Sequence, residues 1–321
     1  MNTLFARLMY KLLVLFTSFS VLTCGGITPC TDDPIKSLDS DSVRLTAVYW
    51  GDTQVSDYMP ERQKNVLAAC EDLNNASQRT DALIIAGDIA ENGKAAEYML
   101  VLDDLKTVDT VDHFIPATGN HDIRLRLFGQ TVKNFSEFVN ALEPELNLDK
   151  LYYSYDVNGY RFIVLGSTRT VFEEAYIDET ELMWLDSQLA SVEEGKPTFV
   201  IVHQPLKLTH NLPDAWNSPF DFAGSIGDQS DDVAEILNKY DNVFLLTGHL
   251  HSGLGENNFE QIGNFVSVNV PSLGIVSKDG GYEAAGTGYM IEVYDNSVLF
   301  RARNFAGGMY LPEFDREFAL K

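Results

Sequence analysis

Residues 82–122 read ALIIAGDIAENGKAAEYMLVLDDLKTVDTVDHFIPATGNHD. An apolar run at 82–86 leads into Gly87-Asp88, and a second at 114–117 leads into Gly119-Asn120-His121-Asp122. Between them Tyr98, Leu102 and Leu105 fall at offsets of four and three, the spacing of one helical face. Short Val/Ile/Leu/Phe-rich runs suit strands buried on both faces, and a helix between two of them predicts a parallel strand–helix–strand unit. Ligands in this architecture bind at the loops that leave the carboxyl ends of the strands.

The same grammar extends in both directions. LTAVYWGD (45–52), RFIVLGS (161–167), TFVIVHQP (198–205) and NVFLLTGHLH (242–251) are further apolar runs, each ending in a glycine or a polar side chain capable of chemistry. Helical stripes lie between several of them: Val66, Cys70 and Leu73; Leu182, Leu185 and Leu189; Val233, Ile236, Leu237 and Tyr240. From about 262 the pattern changes. NFVSVNVPS, GYMIEVYDN and SVLFRARNF have strand composition, with turns at Asp279-Gly280-Gly281 and Asp295-Asn296. They predict an antiparallel meander forming a second sheet packed on the first.

Asp52, Asp88, Asn120, His203, His249 and His251 each follow an apolar run. The first three are 36 and 32 residues apart, the length of one strand–helix–strand unit, so parallel strands deliver them to one sheet edge. Gly87, Gly119 and Gly248 precede these positions and permit a tight exit turn. Carboxylates, imidazoles and an amide oxygen together point to divalent transition-metal binding. The donors are too many for one tetrahedral ion, and two ions sharing a carboxylate would use them all. Singly, each Asp or Asn is equally a helix cap.

Asp52-Thr53-Gln54, Gly87-Asp88, Gly119-Asn120-His121-Asp122, His203 and Gly248-His249-Leu250-His251 resemble, in order, the five motifs of calcineurin-like metallophosphoesterases. The resemblance runs from about Leu45 to the C-terminus. It implies an α/β fold, a four-layer α/β/β/α sandwich of two mixed sheets, with a two-metal centre at one edge. By motif, Asp52 and His251 would bind the first metal, Asp88 would bridge, and Asn120, His203 and His249 would bind the second. Gln54 stands where histidine is commoner, and its neutral amide oxygen is a poorer donor for soft ions. His121 would be the general acid, with Asp122 holding its ring by a hydrogen bond. The implied cofactors are two divalent or trivalent ions, Mn, Fe or Zn. The implied reaction is hydrolysis of a small phosphate mono- or diester by a metal-bridging hydroxide. A nuclease of the same fold and a non-catalytic metal- or ligand-binding protein are the alternatives.

Composition bears on the partner. With 23 basic and 47 acidic residues of 321, the net charge is −24, which disfavours nucleic acid. Hydrophobic residues at 45% and charged residues at 22% exclude disorder for most of the chain. Three cysteines are too few for a disulfide scaffold, and Cys70 sits on an apolar helical stripe as a core residue.

At the N-terminus, Arg7 and Lys11 precede an apolar run from Leu12 to Leu22, the form of a secretory signal over 1–24. Leu22-Thr23-Cys24 resembles a bacterial lipoprotein signal, with Cys24 lipidated as the mature terminus and the only membrane contact. Ordinary cleavage near Cys24 to Gly26, or a Cys24–Cys30 pair, are the alternatives. The expected location is extracellular, periplasmic or anchored at the cell surface. Residues 25–42 read as a flexible linker and 43–321 as the phosphoesterase-like domain. Among remaining polar groups, His113 reads as structural or exposed, His210 as a surface residue, and Arg124 and Arg126 as a solvated helix face. In the irregular stretch 204–230, Trp216 and Phe220 read equally as a wall for the leaving group or as a self-packed surface loop.

Overall fold

The computed structural model describes residues 33–211, 224–276 and 281–321. The signal-like segment 1–24, with Cys24, and also Cys30, Trp216 and Phe220 lie outside them. Among the described residues no helix is long and apolar enough to cross a membrane.

The quoted stretch forms β2 (Thr80–Ile85), a helix (α2, Ala95–Leu105) and β3 (Val111–Pro116). Strand β1 (Leu45–Trp50) lies parallel to β2, and β2 parallel to β3. A helix over Pro60–Asn74 (α1) connects β1 to β2, opening on a proline at the position where a missing N–H costs nothing. The register aligns Trp50 with Ile85 and Ile85 with Pro116, so the three chains leave the sheet at one level. The remaining strands of this sheet are β10 (Thr287–Val293), β11 (Ser297–Asn304), β12 (Met309–Tyr310) and β13 (Arg316–Ala319), with β10 antiparallel to β1.

The second sheet has the order β4 (Tyr153–Val157), β5 (Tyr160–Val164), β6 (Thr198–Ile201), β7 (Val243–Thr247), β9 (Phe265–Asn269), β8 (Phe259–Ile262). Its inner strands are parallel, with Val164, Ile201, Leu246 and Val268 side by side. Strand alternation separates the two faces. Phe162, Val164, Phe199, Ile201, Phe244 and Leu246 join the core shared with the first sheet. Ile163, Leu165, Val200, Val202 and Leu245 pack instead under α5 (Glu179–Ala190) and α6 (Ser230–Leu237). With α1, α2 and α4 (Phe128–Leu142) outside the first sheet, the layers run α/β/β/α. Phe244 meets Phe300 at 5.6 Å across the interface, and the Tyr49 hydroxyl on β1 reaches the Val268 carbonyl at 3.0 Å. These contacts join interior strands of the two sheets.

Three expectations change. The C-terminal strands do not form a second sheet of their own. β9 lies parallel to β7 in the second sheet, while β10 and β11 return to the first. Strand composition reports burial, not which neighbour supplies the hydrogen bonds. The connecting segment crosses the end of β1, where Leu273 N–H donates to Gly51 O (2.9 Å) and Gly274 N–H to Asp52 O (3.0 Å). Second, β4 and α4 were not anticipated. α4 carries a regular apolar stripe of Phe128, Val132, Phe135, Phe138, Val139 and Leu142, with the polar Thr131, Asn134 and Ser136 buried beside it. Third, residues 33–38 are not a flexible tether. Ile35 is buried, Arg303 Nη2 donates to Asp33 O (3.0 Å), and Arg301 Nη1 donates to Lys36 O (2.7 Å).

Candidate metal centre

Each chain leaving the aligned strands turns sharply. Asp52, Gln54, Asp88, His249 and His251 all adopt positive φ, between 42° and 75°. Such a conformation costs a non-glycine residue of order 1–3 kcal/mol, so the surrounding structure must impose it. Backbone bonds do so: Asp52 N–H donates to Gly87 O (3.1 Å), Gln54 N–H to Asp88 O (2.8 Å), and Gly248 N–H to His203 O (2.9 Å). Gly119 allows a close approach. A Cβ there would collide with the Asp88 backbone and lie 2.7 Å from the His203 ring.

Six of the expected ligands meet. Asp88 Oδ2 lies 3.2 Å from His203 Nε2, and Asp52 Oδ1 lies 3.0 Å from His251 Nε2. The His203 and His249 rings are 4.9 Å apart. Donor atoms of Asp88, His203 and His249 lie within 4.8 Å of one another, as do those of Asp52, Asp88 and His251. Asp88 belongs to both groups. Its second oxygen, Oδ1, accepts the His121 backbone N–H at 2.8 Å, and Asp52 accepts the His249 backbone N–H. Gln54 donates its Nε2 to Asp88 Oδ2 at 2.9 Å.

Whether this set suits a metal is decided by its unsatisfied atoms. Asn120 Oδ1 and Gln54 Oε1 are buried and have no hydrogen-bond partner among the described residues. A buried acceptor left without a partner costs about 1–3 kcal/mol, and here two such atoms lie on separate loops that leave the aligned strands. Two carboxylates, three imidazoles and amide oxygens match the donor preferences of Mn, Fe or Zn.

The electrostatics agree. Burial alone would lower the His203 pKa, but Asp88 and Asp52 outweigh it and raise it to about 9. Burial raises Asp88, yet His203, His121 and His249 pull it below the usual carboxylate range. His249 is driven well below its ordinary value by burial and then by His203. In the metal-free chain a proton on His203 thus supplies positive charge that the two carboxylates demand.

His121 stands beside this cluster, its Nε2 3.9 Å from Asp88 Oδ2. Asp122 does not hold its ring. The buried Asp122 carboxylate instead accepts Gly119 N–H (2.8 Å), Ala90 N–H (2.9 Å) and the Tyr98 hydroxyl (2.9 Å). It ties two loops together, because a side chain one residue on in the short helix (α3, Asn120–Ile123) faces a different direction. The His121 ring is held by Glu91, whose backbone carbonyl lies 3.0 Å and carboxylate 3.4 Å from Nδ1. Burial lowers the His121 pKa, and Glu91 and Asp88 raise it further than that, for a net upward shift.

Two more groups join the site without a motif to announce them. Arg124, read as solvated, lies 3.0 Å from His121 Nδ1 and pairs with Glu173 at 2.7 Å. Glu173 belongs to the polar loop after β5 and accepts Asn120 Nδ2 at 2.5 Å. Arg126 points elsewhere, donating to Asn92 O. His210 is buried, not on the surface, and lies 2.8 Å from Asn257 O and 2.7 Å from Ser267 Oγ.

The family model for the calcineurin-like phosphoesterases matches residues 48–253. Among curated proteins, the chain is 28% identical over 182 residues to the probable glycerophosphodiester phosphodiesterase of Arcobacter nitrofigilis, covering 56% of this chain and 59% of that protein. It is 26% identical over 191 residues to a 3′,5′-cyclic-nucleotide phosphodiesterase of Nostoc sp., covering 59% and 62%. The chain thus spans less than two thirds of the length of these relatives. Among solved structures, a dimetal phosphatase of Danio rerio matches with a TM-score of 0.63 at 13% identity, over 87% of this chain and 100% of that one, a likeness of fold.

Proposed function

The chain belongs to the calcineurin-like phosphoesterase family, and from that premise we propose that it hydrolyses small phosphate esters, diesters foremost, on a pair of metal ions. One observation carries the reading. Buried ligand groups from both sheets converge on Asp88 while Asn120 Oδ1 and Gln54 Oε1 remain without hydrogen-bond partners among the described residues. Asp88 would hold both ions, Asp52 and His251 the first, and Asn120, His203 and His249 the second, with Gln54 available to the first through its amide oxygen.

Bound there, the cations would supply Lewis-acid stabilisation of a transferring phosphoryl group and an activated water. The protein's own residues do the rest. His121 presents Nε2 toward Asp88, at the edge of the cluster, while Glu91 holds Nδ1. A protonated ring so fixed donates to the departing oxygen. The net charge of −24 favours a compact ester over a polyanionic strand. Relatives named as glycerophosphodiester and cyclic-nucleotide phosphodiesterases support the diester preference. We also infer export, from the signal-like segment 1–24, which N-terminal mass analysis of the mature protein tests.

The test is a panel on metal-free protein reloaded separately with Mn, Fe or Zn. A bis-aryl phosphodiester, an aryl phosphomonoester, a glycerophosphodiester and a cyclic nucleotide are compared. Metal-dependent turnover with the diesters ahead is expected. Two bound equivalents with no turnover of any ester would favour a binding protein.

A further inference from the structure

We propose that Glu173 is a positioning residue that presents the carbonyl end of the Asn120 amide to the second metal site. The inference rests on the two-metal reading above and adds to it a residue outside every motif of the sequence.

The two ends of a carboxamide have nearly the same shape, and only hydrogen bonding tells them apart. An asparagine that is to bind a cation must therefore have its NH2 held elsewhere; otherwise the group can flip and turn two N–H bonds on the ion. Glu173 provides the hold. Its Oε2 accepts Asn120 Nδ2 at 2.5 Å, and its Oε1 accepts Arg124 Nη1 at 2.7 Å. With Nδ2 so placed, Asn120 Oδ1 is the end left buried with no partner among the described residues. A carboxylate on the NH2 also polarises the amide and raises the negative charge on Oδ1, improving it as a ligand.

The architecture makes the hold rigid. Asn120 follows β3 of the first sheet, whereas Glu173 lies between β5 and α5 of the second. The Glu173 backbone carbonyl accepts Gln204 Nε2 at 3.0 Å, and Gln204 is the residue after His203. The loop is thus pinned next to another ligand of the same site. The Arg124–Glu173 ion pair does not account for the arrangement. It engages only Glu173 Oε1, while Oε2 is left to the Asn120 amide.

Calorimetric titration of the metal-free protein with Zn2+ tests this without recourse to activity. In Glu173→Ala the second equivalent should bind about 10- to 100-fold more weakly, the usual effect of removing a partner behind a metal ligand, with the first equivalent unchanged. Glu173→Gln keeps an acceptor oxygen and should recover most of that affinity. Arg124→Met should leave both affinities within about threefold, since it spares the Asn120 contact. Should Glu173→Ala fail to fold, Glu173→Asp, a methylene short of Asn120, makes the same comparison. Parental affinity for both equivalents in the Glu173 variant overturns the proposal alone. An Arg124→Met loss as large as that of Glu173→Ala overturns it too, by moving the effect to the ion pair. A parent chain that binds fewer than two equivalents overturns the two-metal reading and this inference together.

Discussion

Strand β3 carries a cluster of acids and an imidazole at each end, and the two clusters behave differently. At its start, His113 sits with Glu143, Glu145 and Tyr155. Glu143 accepts the Phe114 N–H at 2.6 Å and the Tyr155 hydroxyl at 2.9 Å, and His113 Nδ1 lies 3.0 Å from that hydroxyl. Beyond its far end, Asp88 meets His203 and His249, and Asn120 keeps a buried Oδ1 with no hydrogen-bond partner among the described residues. The first cluster is partly exposed and its groups satisfy one another; the second is buried, and left-handed backbone at Asp52, Asp88, His249 and His251 aims its members. Residue type alone does not distinguish a metal centre from a structural polar network. Buried acceptors kept away from donors do, since their cost is recovered only when a cation arrives.

The largest break in this comparison comes from Asp88. Asp88→Ala should abolish both metal equivalents and lower turnover by at least about a thousandfold, read by metal analysis and diester hydrolysis. Glu143→Gln should keep both equivalents and turnover within about twofold, and lose only about 1–2 kcal/mol in a denaturant titration. If the two variants fell equally in metal content, the distinction between the ends of β3 would be gone.

His121 comes next. His121→Ala should retain both metals and slow esters with poor leaving groups by about 10²–10⁴-fold, with activated aryl esters much less affected. An alkyl diester cleaved at the parental rate would remove His121 from the acid role. Chelation then sharpens the contrast on stability. At free metal of about 100 times Kd, each bound ion contributes about 2.7 kcal/mol, so a chelator should lower the unfolding temperature of the parent but not of Asp88→Ala.

The smallest effect concerns a third buried carboxyl. Glu181 accepts the Gly166 N–H at 2.8 Å, and its Oε2 has no partner among the described residues, yet no donor set surrounds it. Burial raises its pKa well above 4.5, so it meets the same problem by keeping a proton. A raised folded pKa means stability is fullest below the unfolded value near 4.5 and is lost as pH rises through the folded one. Glu181→Gln should flatten the pH profile of unfolding above about pH 4.5 and be more stable than the parent at neutral pH. An unchanged profile would show that Glu181 does not hold its proton.

Much of this was legible in order along the chain. Asp52, Asp88, Asn120, His203, His249 and His251 each end an apolar run, and a run that ends at a glycine or a catalytic side chain is a local signal. Glu173 gave none: it sits in VFEEAY beside an equivalent Glu174, and nothing local says which carboxylate turns inward. Arg124 was misjudged for the same reason, because its partner lies 49 residues away in the loop after β5. Asp122 was assigned to its sequence neighbour His121, whereas its contacts are Gly119, Ala90 and Tyr98. The partner of β10 was equally hidden, since a β-strand composition fits either sheet.

What the sequence by itself determined was the set of strands in the parallel units, the donors at their carboxyl ends and the glycines that let those donors turn. These are local consequences of side-chain periodicity and backbone freedom. Tertiary structure alone decided which sheet each C-terminal strand joined, which group holds the His121 ring, and that Glu173 faces Asn120. Those outcomes depend on atoms brought together from distant segments, and hydrogen bonding carries no record of its partner in the order of residues.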